Sequence, residues 1–175
     1  MKTVFIGGSR HISRLSSDVR DRLDRMVSQN LQILIGDANG ADRAVQQYLS
    51  NRGYENVQVF CMEGHCRNNV GVWPVVDVSA PRGVKGAEFY SLKDQEMTLK
   101  ASVGLMLWDG KSAGTLANIV RLLEQQKPVV VYQAKLHELS TLKTLQDLRS
   151  LLSRSGLESE QVVELLPQAA ERTLF

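Results

Sequence analysis

"GLMLWDGKSAGTLANI", Gly104–Ile119, decides the fold. It opens on an apolar run with no in/out alternation, the pattern of a strand buried on both faces of a sheet. It breaks into Asp109-Gly110-Lys111-Ser112-Ala113-Gly114-Thr115, then resumes with Leu116, Ile119, Val120 and Leu123 at helical spacing. A core strand thus passes to a helix through glycine, hydroxyl and charge. The same passage occurs twice earlier, in "VFIGGSRHIS" (Val4–Ser13) and "ILIGDANGADRAV" (Ile33–Val45).

Working outward, "KTVFI", "LQILI", "VQVFC", "VGLMLW" and "PVVVY" read as strands, and "WPVVDV" as a shorter one. Leu15, Val19, Leu23, Met26 and Val27 stripe one helix, and Ala41, Ala44, Val45, Tyr48 and Leu49 stripe a second, closed by Gly53. Ser91 and Asp94 have capping-box spacing and predict a helix opening there and running to about Ser102. Strands alternating with helices predict an α/β, Rossmann-like, doubly wound and mainly parallel sheet covered on both faces. Leu136, Leu139, Leu142, Leu145, Leu148 and Leu152 suggest a long amphipathic helix that carries His137 on its exposed side. Val162, Val163, Leu165 and Leu166 begin a shorter helix that Pro167 ends or kinks. The expected division is a ligand-binding domain over 1–152 and a helical tail over 153–175.

The 175 residues suit one domain with a small appendage. A net charge of +2 predicts no strong field for nucleic acid, so nucleic acid is not expected as a partner. No stretch approaches the roughly 20 apolar residues of a membrane span, and "MKTVFIGG" does not read as a signal peptide. Two cysteines without an export signal predict free thiols in a reducing cytoplasm. The apolar stripes exceed what one small domain need cover, which predicts a homodimer.

In an open parallel sheet, ligands bind outside the carboxyl ends of the strands where strand order reverses. All three glycine turns fall on that edge, and each precedes a helix whose first N–H groups favour an anion. The edge therefore reads as built for a phosphorylated ligand. Gly7, Gly8, Gly110 and Gly114 are expected to bring backbone to phosphate, and Ser9, Ser112 and Thr115 to donate hydroxyls. Arg10 and Lys93 add charge, with His11 beside Arg10, and Gly36, Asp37, Gly40 and Asp42 shape a second wall. Asp42 is expected to brace its loop by accepting N–H bonds. Asp109 or Asp37 would take ribose hydroxyls or hold Mg²⁺ through water, and the residues leave both roles open. None of the three turns fits the G-x-G-x-x-G or Walker fingerprint.

The order "GGSR", "GDANGAD", "KDQEM", "DGKSAGT" resembles the SLOG superfamily, which joins DNA-processing protein A to the "lonely guy" phosphoribohydrolases. The resemblance spans about Met1 to Tyr132. It implies a Rossmann-like domain binding a nucleotide or nucleotide-derived ligand, often as a homodimer, with the glycines and Thr115 on phosphate. The phosphoribohydrolases carry Glu and Arg where this chain has Asn118 and Lys93. An amide does not ionise, and Lys lacks the planar fork of Arg. Hydrolysis by that route is therefore not expected.

Cys61, His65 and Cys66 in "CMEGHC" lack a fourth partner, so no metal site is assigned. Arg67, Asn68 and Asn69 before Trp73 read either as base recognition with an aromatic face or as a polar loop with its tryptophan in the core; the second is favoured. The expected function is binding of a nucleotide-like small molecule, as sensor or carrier. The alternatives are a nucleotide hydrolase using Asp109, Asp94 or Glu88, and a DNA- or protein-binding scaffold with a vestigial pocket.

Overall fold

The computed structural model describes residues 2–157. Seven strands form one sheet: β1 (Thr3–Gly8), β2 (Gln32–Ile35), β3 (Val57–Met62), β4 (Val75–Val78), β5 (Val103–Trp108), β6 (Val129–Gln133) and β7 (Glu138–Leu142). Five helices accompany them: α1 (Ser17–Ser28), α2 (Ala41–Asn51), α3 (Gly86–Lys100), α4 (Ala113–Glu124) and α5 (Leu145–Arg154). The strand order is β4-β3-β2-β1-β5-β6-β7, and every pair is parallel except β6 with β7. The sheet is therefore doubly wound. The chain builds outward from β1 to β4, then returns to place β5 on the other side of β1, so the order reverses between β1 and β5.

Alternation along the strands divides the core in two. On β1, Phe5 faces the layer holding α3, α4 and α5, while Val4 and Ile6 face α1 and α2. The Val19, Leu23 and Met26 stripe of α1 and the Val45 and Leu49 stripe of α2 are buried on the chain's own sheet. Those stripes thus need no second copy to cover them, which removes them as grounds for a dimer. Helix α4 packs closely on β5 because a side chain is missing there: a Cβ on Gly104 would come within 2.3 Å of Leu122.

Three expectations are corrected. The leucine series from Leu136 to Leu152 is not one helix. The chain turns back after β6, with His137 exposed at a left-handed φ of 48°, and pairs Tyr132 with Leu139 and Val129 with Leu142. Only then does α5 start, under a capping box made by Thr144 and Asp147. The helix placed at Ser91 begins five residues earlier, at Gly86; the Ser91 hydroxyl donates back to the Glu88 carbonyl inside it. The cysteines are not free: Cys61 and Cys66 form a disulfide across Met62–His65, so the thiol argument for a reducing compartment falls away. No helix among the described residues is long and apolar enough to cross a membrane. The helix expected at Val162–Leu166, and the tail from 158 onward, lie outside the described residues.

Candidate functional site

Where β1 and β5 part, their loops frame a cleft of about 690 Å³, within the range of small-molecule sites. Its floor is the end of β1, one wall is the start of α4, and the opposite wall is α3. Gly7, Gly8, Ser9, Arg10, Gly36, Asp42, Lys93, Asp109, Ser112, Gly114 and Thr115 all line it. The structure thus brings together most residues picked from the sequence. It leaves out Asp37, Gly40 and Gly110.

The residues that do converge have different duties. Ser112 caps α4, accepting from the Thr115 N–H (3.3 Å) and the Thr115 hydroxyl (2.9 Å), and keeps its own proton to donate. The Ala113 and Gly114 N–H groups stand in the first turn, where the helix supplies no acceptor. Open space lies over Gly114 where a side chain would stand. Ser9, by contrast, is fully buried and donates to Asp109 at 2.9 Å, so its proton is not available to a ligand as expected. It ties the β1 loop to the β5 loop. Burial pushes the Asp109 carboxyl up, yet N–H bonds from Lys111 and Ser112 and the Ser9 hydroxyl outweigh it and hold the group below the usual range.

The glycines are explained by space more than by phosphate contact. A Cβ on Gly8 would meet the Leu107 carbonyl at 2.5 Å and Ala41 at 2.8 Å. One on Gly36 would meet the Asp42 carboxylate at 2.6 Å and Lys93 Nζ at 2.9 Å. Gly40, at φ 82°, lies against the Arg10 backbone, where a Cβ would come within 2.3 Å. It holds the first two glycine loops together rather than facing a ligand.

The wall of the cleft carries a charge cluster that reaches back to the buried Asp37. Lys93 Nζ stands 3.0 Å from Asp94 and 3.9 Å from Asp37, and is almost fully buried. Burial works to lower its pKa, but Asp94 and Asp42 prevail and raise it. Its charge is thus already matched from inside the protein. Asp37 is closed off too: it accepts from the Arg67 N–H at 2.9 Å and the Arg67 guanidinium at 2.7 Å, which overcome burial and lower its pKa. It offers nothing to a ribose. Asp42 accepts from the Ala38 N–H at 3.1 Å, the bracing role expected of it, and burial pushes its carboxyl up to about 6. No group of three or more His, Cys, Asp or Glu side chains capable of holding a metal occurs among the described residues.

Two wall residues, Arg121 and Tyr90, were not picked from the sequence, and Asn118 entered there only as the residue at the position of the phosphoribohydrolases' Glu. Asn118 donates to Asp94 at 3.0 Å and accepts from Arg121 at 2.8 Å, which extends the cluster along α4. Arg121, buried on that helix, gave no signal distinguishing it from a surface arginine. Tyr90, on α3, also lines the cleft and carries the Arg67 guanidinium over its ring at 4.3 Å. Trp73 is the core anchor the favoured reading made it, buried and donating its indole N–H to the Tyr54 carbonyl.

Fold and cleft together define a Rossmann-like domain with an open site at its switch point. No protein-family model and no curated protein matches the chain. Among solved structures it is similar to DNA processing protein A from Helicobacter pylori, studied for its single-stranded DNA binding mode. The TM-score is 0.60 at 14% identity, over 90% of this chain and 74% of that one. The fold is thus of the kind the "GGSR" and "DGKSAGT" resemblance implied.

The exclusion of nucleic acid is corrected by that likeness, since this fold serves a single-strand binder. Net charge averages the chain and does not describe the field at one site. The cleft itself gathers Arg10, Arg67, Lys93, Lys111 and Arg121 against Asp42, Asp94 and Asp109.

Proposed function

We propose that the cleft binds the phosphate of a nucleotide, either free or as a unit of a single nucleic-acid strand. The observation that carries this reading is the uncovered start of α4 facing the gap between β1 and β5. There the Ala113 and Gly114 N–H groups, the Ser112 hydroxyl and the helix dipole converge on open space. Exposed Arg10 and Lys111 flank that point, and cations on the rim steer anions toward it. The single-strand binding of the structurally similar protein supports the longer form of the ligand. Turnover is less well supported, because Asp94 is held by Lys93 and Asn118 rather than aimed at a substrate.

Calorimetric titration of a nucleoside monophosphate and of a short single-stranded oligonucleotide tests the reading and separates the two forms. Gly114→Glu places a bulky acid in the space over α4. It should cost several charge-assisted bonds at roughly 1.5–3 kcal/mol each, a loss of about 100-fold or more in affinity. Undiminished binding in the folded variant would put the ligand elsewhere.

A further inference from the structure

Helix α3 departs from the usual pattern of a sheet-covering helix: beside Met97 and Thr98 it buries Lys93, and it exposes Tyr90 and Leu99, at 36% and 64%. Lys93 is accounted for by the carboxylates around it. Tyr90 is not accounted for by packing. It stands on the cleft wall with its ring held on two sides, edge-on by Phe89 at 5.2 Å and by the Arg67 guanidinium at 4.3 Å. Arg67 is itself fixed from behind by its ion pair with Asp37. A second guanidinium, Arg10, lies 5.8 Å from the ring centroid. Arg67 covers one face of this partly solvent-exposed ring, so a planar ligand group would stack on the face that remains. The ring lines the same cleft as the start of α4 but belongs to the opposite wall.

We propose that Tyr90, braced by Arg67, is the nucleobase-recognition wall of the cleft, so that the site selects phosphates that carry a base. This rests on the nucleotide-phosphate reading above and adds to it the side chain that recognises the base. Stacking on an aromatic ring tolerates any base, because every base has a π-face. The wall therefore favours nucleotides over sugar phosphates without naming one base. Arg67 and Arg10 add planar cations against which the base edge or a neighbouring phosphate can rest.

The test titrates adenosine 5′-monophosphate and ribose 5-phosphate into the parent protein, Tyr90→Ala and Tyr90→Phe. A parallel arm uses a short single strand with and without an abasic unit, which distinguishes a free nucleotide from one in a chain. Expected for Tyr90→Ala is a loss of base-bearing ligand on the order of 10- to 100-fold, with ribose 5-phosphate unchanged and Tyr90→Phe close to the parent. Equal losses for both ligands would overturn the proposal by making the ring a mere support of the cleft, as would undiminished nucleotide binding. Parent protein that binds ribose 5-phosphate as tightly as the nucleotide overturns this proposal alone. Parent protein that binds neither the small ligands nor the strand overturns the phosphate reading with it.

Discussion

Helices α3 and α4 flank one cleft and pack on the same face of the sheet, yet they are built on opposite rules. In α4 every residue from Thr115 to Leu123 is buried, Ser112 caps its start, and its first turn presents backbone N–H groups to the cleft. In α3 an Ala-Glu-Phe-Tyr opening turn stays largely outside, a lysine goes in, and what it presents is side chains. The difference separates two ways of meeting a ligand. A well-packed helix holds its N–H groups rigidly for an anion whatever its sequence further on. A helix held by a buried ion cluster has its outer residues left over for recognition.

The sharpest way to break this comparison is Lys93→Met. If α3 is held by its charge cluster, removing the lysine leaves Asp42 and Asp94 with their balancing cation gone, while Asp37 keeps Arg67. Breaking a buried pair in this way costs about 3–5 kcal/mol. Urea unfolding at neutral pH should show it, and the deficit should shrink in acid as the carboxylates protonate. A loss no larger than that of an exposed substitution would mean that α3 is held by packing, like α4.

Asp42→Asn sharpens the same point through pH. The Asp42 carboxyl is raised to about 6 from an ordinary 3.8, so between those values the folded state holds a proton that the unfolded state has released. Its contribution to stability is therefore present in acid and falls as pH rises through about 6, by roughly 3 kcal/mol at 1.36 kcal/mol per unit. Asn does not titrate. The stability of Asp42→Asn relative to the parent should accordingly improve between about pH 4 and 6, followed by denaturant unfolding at a series of pH values. A flat difference would show that Asp42 is not the titrating group.

The smallest effect concerns α4. Ser112→Ala removes an N-cap, for which about 1 kcal/mol is the usual cost. Thermal unfolding should register this modest loss, because the buried apolar face of α4 carries most of its stability. A loss as large as that of Lys93→Met would erase the contrast between the two helices.

Much of this protein was determined by its sequence alone. The unbroken apolar strands, the glycine turns after them and the helical stripes beyond specify a parallel sheet covered on both faces, because only that arrangement buries strands on both sides. Once β1 and β5 are strands of such a sheet, the "GGSR" and "DGKSAGT" turns must share its carboxyl edge, and most of the cleft followed.

The tertiary structure decided what each residue does there. Leucines three apart satisfy a helix stripe, and only pairing with β6 turned Leu139 and Leu142 into strand residues. Whether Lys93 faces solvent or three carboxylates depends on residues more than 50 positions away in Asp37 and Asp42. The same holds for Gly36, whose missing side chain leaves the room they occupy. Tyr90 became a cleft wall because Arg67, fixed by Asp37, came to rest on its ring. Period and composition are local properties of the chain, whereas charge balance and stacking are set by which distant segments the fold brings into contact.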